Sequence, residues 1–232
     1  MVGMDDTEFD RVLIAAAFAR AGQHGWRRLS VVQAARDVGL PLDRARARFP
    51  GTAAVLMRFG LMADQAALSG VSMDGSERDR LFDMVMRRVD VLQAHRAGVL
   101  ALLRWLPTRP VTAALLSAAN LRSMAWMLEA AGVPATGLLG VLRAEGMLAV
   151  WLWTVRAWRD DESDDLPATM AALDRALDRA EQAEASLSGF FRRPPQAEVP
   201  PPAFEPVSDV PPPAPLTPDV PPTAPGGDFD AE

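Results

Sequence analysis

Cysteine and lysine are both absent from this chain of 232 residues, and histidine occurs only at His24 and His95. Without cysteine there is no disulfide, no thiolate metal site and no thiol nucleophile, and the redox compartment is left undetermined. No nucleophile–base pair, glycine-rich phosphate loop or metal-ligand spacing is visible either, so the sequence reads as a non-enzyme without a cofactor. Every base is an arginine, so the position of a positive charge carries more information than its type. Strand patterns of useful length are also missing. The most apolar stretches, "VTAALLSAANLRSMAWMLEAAGV" and "LLGVLRAEGMLAVWLWTVRAW", are interrupted by Arg122, Glu129, Arg143 and Glu145. A span in hydrocarbon would have to bury those charges at several kcal/mol, so both stretches read as core helices. The start "MVGMDDTEFD" carries acids where an export signal needs a basic segment and an apolar run, and a cytoplasmic location is expected.

Charge is unevenly spread. The net charge is -6, yet no base follows Arg193, while Glu198, Glu205, Asp209, Asp219, Asp228, Asp230 and Glu232 do. Residues 1–193 are therefore close to neutral. From Pro194 onward prolines alternate with acids, a composition that forms neither helix nor packed core and predicts a disordered tail over 191–232. Residues 11–60 hold Arg11, Arg20, Arg27, Arg28, Arg36, Arg44, Arg46, Arg48 and Arg58 against only Asp37 and Asp43. A local field of that sign attracts phosphate.

The rest is patterned as helix. Thr7 or Asp6 caps a first helix running to about Ala21, with Phe9, Val12, Leu13, Ala16 and Ala17 on one face. Ser30 caps "VVQAARDV", Gly39 supplies a turn residue able to take positive φ, and Pro41 suits the first position of "PLDRARARF". A fourth helix spans about 52–68. Ser76 opens a fifth with Leu81, Met84, Val85, Val89 and Leu92 at helical spacing. Further helices are predicted over about 98–106, 111–131, 135–158 and 163–187. The fold class expected is all-α, with an N-terminal head at 1–60 and a larger helical domain at 61–190.

A capped helix, a glycine turn and a short arginine-bearing helix have the geometry of a helix-turn-helix, whose second helix enters the major groove. The alternative from spacing alone is a helical hairpin with a solvated basic face. The stretch "LSVVQAARDVGLPLDRARARFPGTAAVL" resembles the N-terminal signature of the tetracycline-repressor (TetR) family. Ser30 matches the hydroxyl opening helix two, Ala35 its small packed residue, Gly39 the turn glycine, and Phe49-Pro50 the aromatic–proline pair before helix four. That resemblance implies a ligand-responsive repressor acting as a homodimer on operator DNA. It implies DNA contacts at Ser30, Arg36, Leu42, Asp43, Arg44, Arg46, Arg48 and Thr52. The family usually carries tyrosine where Arg46 stands and lysine where Thr52 stands; Arg46 keeps a phosphate contact and Thr52 loses a charge. Two copies of helix three would reach successive major grooves about 34 Å apart.

Trp105, Asn120, Met124, Met127, Met147 and Trp151 lie on helices expected to enclose a pocket for a small hydrophobic effector, although helical core is the commoner explanation of such residues. Leu142, Trp153, Leu166 and Leu173 suggest a dimer face on the last two helices. A second resemblance is to the ubiquinone-biosynthesis Coq-nine family, carried by Trp126, Trp158, Asp161, Ser163, Asp164, Thr169, Leu173 and Asp174. It shares the TetR fold and implies an isoprenoid-lipid or membrane partner, with Phe190, Phe191, Arg192 and Arg193 as a short anchor. The cluster Asp160, Asp161, Glu162, Asp164 and Asp165 reads as first-turn acids complementing a helix dipole below a Ser163 cap, in preference to a metal site.

Overall fold

A computed structural model describes residues 4–191, and the proline-rich tail expected to be disordered lies outside them. The described residues form nine α-helices and no strand: α1 (Asp6–His24), α2 (Val31–Asp37), α3 (Leu42–Arg48), α4 (Thr52–Leu68), α5 (Glu77–Ala94), α6 (Arg96–Trp105), α7 (Pro110–Ala130), α8 (Gly137–Asp160) and α9 (Pro167–Phe191). Single 3₁₀ turns at Trp26–Arg28 and Leu106–Thr108 join α1 to α2 and α6 to α7. The fold class is all-α, as the helical spacing predicted.

Several helix ends differ from the sequence expectation for identifiable reasons. The cap of α1 is Asp5, whose carboxylate accepts from Glu8 N–H at 2.7 Å. Asp6 is thereby left to bind arginines of α3. The helix passes through Gly22 and stops at Gly25, φ 78°. Gly22 is an approach point, since a Cβ there would stand 2.9 Å from Ala97 Cβ of α6. The partner position on α6 is Gly98, where a Cβ would meet Phe18 O at 2.5 Å. Pro41 caps α3 in extended backbone, one position before the first turn where it was expected. Ser76 and Asp79 close a reciprocal capping box on α5.

The largest correction concerns the start of α9. It begins at Pro167 and not at Ser163, and Asp161 does the capping. One Asp161 oxygen accepts from the Thr169 N–H and Oγ–H, both at 2.9 Å, and the other accepts from the Ser163 N–H and Oγ–H. These donors, those of Ser163 first, hold the carboxyl well below its ordinary range, at about 2. Among the described residues no group of His, Asp or Glu could hold a metal ion.

One core runs through the helices. Around α1 it comprises Phe9, Leu13, Phe18, Trp26, Phe49 and Phe59, with Phe18 packed at 4.1 Å on Phe59 and edge-on to Trp26 at 4.9 Å. Around α5, α7 and α8 it comprises Met84, Val85, Met124, Met127, Trp151 and Trp158. His95 sits at the joint of α5 and α6, 5.6 Å from both Phe18 and Phe59. Taken singly, α8 is the one described helix long and apolar enough to cross a membrane; its Met147, Val150, Trp151 and Trp158 are buried in protein.

Candidate nucleic-acid interface and ligand cavity

The turn between α2 and α3 depends on Gly39 at φ 67°, a left-handed conformation that costs other residues about 1 kcal/mol or more. Ser30 accepts from Gln33 N–H at 3.3 Å and fixes the start of α2. Ala34, Ala35 and Ala45 are small enough to let α2 and α3 pack on α1, and all three are buried. This leaves Arg36 exposed on α2 and Leu42, Asp43, Arg46 and Ala47 exposed on α3. Thr52 opens α4 and is half-buried.

Arg44 and Arg48 take the other side. Four residues apart, they share the face of α3 that looks at α1. Arg44 donates to Met4 O at 2.8 Å and to Asp6, and its guanidinium lies 4.4 Å over Phe9. Arg48 makes a bidentate pair with Asp10 at 2.6 and 2.7 Å and also reaches Asp6. Arg58 of α4 joins them through Asp10 at 2.6 Å. The hydrogen bond from Arg44 pulls the Asp6 carboxyl below its usual range, and the one to Asp10 raises the Arg48 pKa. These arginines tie α1, α3 and α4 together, while Arg46 stands outside and, among the described residues, donates only to Pro50 O at 3.1 Å.

The residues expected to line a pocket are dispersed. Trp105 stacks on Trp26 at 6.2 Å, beside α1. Met124 is wholly buried in the core. Met147 faces a small cavity of about 190 Å³ bounded by α5, α8 and α9. Trp151 lies under the Arg88 guanidinium at 4.7 Å. Asn120 and Met127 do line the largest cavity among those described, about 500 Å³, between α4, α5 and α7. Its walls include Leu56, Leu61, Leu68, Leu116 and Trp126, and its polar residues include Asp64, Arg88, Asn120 and Ser123.

Of that polar group the sequence singled out only Asn120, although Arg88 also carries a signal. It falls on the buried stripe Leu81, Met84, Val85, Val89, Leu92, seven residues after Leu81, where a charge has no solvent. Arg88 donates from Nη1 to Asp64 Oδ1 at 2.6 Å and from Nη2 to Asn120 Oδ1 at 2.7 Å. Ser123 Oγ lies 2.6 Å from the other Asp64 oxygen. Only 3% of Arg88 is exposed, and its buried Nε–H has no partner among the described residues.

Several residues that suggested a Coq-nine protein have packing, capping or pairing roles, whereas Trp126 and Asp164 are exposed. Trp158 is fully buried and donates to Gln93 Oε1 at 2.9 Å, Asp161 caps α9 through Thr169, Leu173 is core, and Asp174 accepts from Arg78 at 2.9 Å. The side chains of Phe190 and Phe191, with Arg192 and Arg193, lie outside what is described.

No protein-family profile matches this sequence, and no curated protein matches it. Solved structures do. A TetR transcriptional regulator from Nitrosomonas europaea ATCC 19718 is similar at TM-score 0.62 and 19% identity, over 75% of this chain and 98% of that one. A TetR-family transcriptional regulator from Streptomyces coelicolor is similar at TM-score 0.57 and 19% identity, over 81% and 85% of the two chains. Neither likeness supports the Coq-nine resemblance. The chain has a TetR-like fold.

Proposed function

We propose that the protein is a DNA-binding transcriptional regulator, a homodimer whose grip on operator DNA responds to a small ligand. The observation that carries the reading is the course of α4. Its first turn closes the helix-turn-helix behind Phe49 and Pro50, and from Leu56 to Leu68 it walls the 500 Å³ cavity. A ligand seated between α4 and α7 therefore touches the helix on which the head is carried. To act, it needs different affinities for the conformers that do and do not fit DNA. Residues 1–60 serve as the head, with Ser30 and Thr52 at the helix starts and Arg36, Leu42, Asp43 and Arg46 toward the groove. Residues 61–190 carry the dimer contact and most of the cavity lining, which Leu56, Met57 and Gly60 complete. The outer side of α8 supports that contact: Leu138, Leu142, Leu152 and Trp153 share one face and are 39–73% exposed, whereas Leu166 and Leu173, expected on the dimer face, are buried in the core of the protomer.

The experiment is selection from a genomic fragment library with the full chain, followed by gel shift on the recovered fragments. Specific retention that disappears in Arg46→Ala with Arg36→Ala, two substitutions at exposed positions, is expected. Failure to enrich any fragment at low salt refutes the DNA-binding reading.

A further inference from the structure

We propose that the ligand of the cavity between α4, α5 and α7 is an apolar monocarboxylate, its carboxylate held at Arg88 and Arg122. The inference rests on the reading of this cavity as an effector site and adds the chemical class.

The cavity is chiefly apolar and within the size range of pockets that take drug-sized ligands. Its polar lining has a directional imbalance. A guanidinium offers five N–H donors and no acceptor. Among the described residues, acceptors for Arg88 come only from Asp64 and Asn120, and the Nε–H is buried with none. Buried donors without partners are rare and costly. Asn120 uses its Nδ2 on Leu116 O at 2.8 Å, so the amide is already oriented with its oxygen toward Arg88. The group lacks acceptors.

The charges favour an anion. Asp64 balances Arg88, while Arg122 lines the same cavity, is exposed and makes no ion pair among the described residues. The charged residues of the lining are these three, so the cavity carries one positive charge in excess. Burial also disfavours the charged form of Arg88, and a second anion beside it would relieve that penalty. Leu56, Leu61, Leu68, Leu116 and Met127 would cover the hydrocarbon portion.

The test titrates decanoate and decan-1-ol, below their aggregation limits at pH 7.5, into the full chain. Tryptophan emission is the readout, because Trp126 lines the cavity and Trp151 stacks on Arg88. Decanoate is expected to bind at least about tenfold more tightly than the alcohol, the scale of one hydrogen bond to a charged group. Arg122→Gln, at an exposed position, should weaken decanoate several-fold and leave decanol unchanged. Arg88→Met with Asp64→Leu removes both buried charges together and should abolish the preference while apolar binding persists; circular dichroism confirms that the variant is folded. Equal binding of the two probes, no saturable binding of decanoate, or a preference that survives the double variant overturns the proposal. Gel shift on the same samples separates the two levels. Decanol releasing DNA as well as decanoate does sinks the carboxylate but keeps the regulator. Selective decanoate binding without any DNA binding sinks the regulator but keeps the site.

Discussion

Replacing Asp161 tests how the helical hairpin α8–α9 is held. Its carboxylate receives the Thr169 N–H, an unpaired helix-end donor of a wholly buried residue, together with hydroxyls of Thr169 and Ser163. The pKa falls from 3.8 to about 2, and Asp161 is only 6% exposed, so the shift corresponds to about 2 kcal/mol of stability. Loss of an N-cap gives a similar range, about 0.5–2 kcal/mol. The folded pKa is the lower one, so this contribution is complete above the unfolded value of 3.8 and is lost as pH falls through about 2. Asp161→Ala at pH 7 should lower Tm by roughly 4–8 °C. Asp161→Asn keeps one acceptor and should lose less, but its stability should no longer fall with this group's titration between pH 4 and 2. Thermal unfolding followed by circular dichroism measures both. An alanine variant as stable as wild type at pH 7, or an asparagine variant with an unchanged acid limb, would refute the capping argument.

Two further outcomes follow from close packing and from exposure. Gly98→Ala places a Cβ against Phe18 O and the Phe18 ring, so it should destabilise the α1–α6 crossing by about 1–3 kcal/mol in chemical denaturation; Gly60→Ala, with open space around it, is the control and should be near neutral or stabilising. Leu152→Glu with Trp153→Glu should give a folded monomer by light scattering, since both side chains are about half exposed and little internal packing is lost.

Helix count, the turn glycine and two of the caps were legible because they depend on local chemistry: Ser30, Gly39 and Ser76 act within three or four residues of themselves. The start of α9 was not, because Asp161 reaches forward eight residues to Thr169 across a Leu166 held at φ 49°, and sequence offers the nearer Ser163 as the obvious cap. The cavity was half legible. Apolar residues on α7 and α8 could be seen, but which of them meet depends on helix rotation, and Met147 and Trp151 turned to different neighbours from Asn120. Arg88 was readable as a charge on a buried stripe. Its partner Asp64 was not, since only tertiary packing brings α4 beside α5.

The head shows the same limit in its electrostatics, and the difference can be measured. Counted over residues 11–60, nine arginines face two acids. The acids that matter lie just upstream, where Asp6, Glu8 and Asp10 pair with Arg44, Arg48, Arg58 and Arg11; Asp37 takes Arg20. Arg27, Arg28, Arg36 and Arg46 have no ion pair among the described residues. If all four of these met phosphate in each head of a dimer, the slope of log K against log salt would be roughly -7; nine arginines per head would allow roughly -16. Arg46→Ala should reduce the magnitude of the slope by about 2 for the dimer, one phosphate per head. Arg44→Ala should leave the slope nearly unchanged and act on stability, because it breaks the tie between α3 and Asp6 of α1. A measured slope steeper than about -12, or an Arg44→Ala loss equal to that of Arg46→Ala, would mean that Asp6 and Asp10 give up their arginines to DNA. The head would then be a switch in its own right, held closed by its first helix until phosphate displaces the acids.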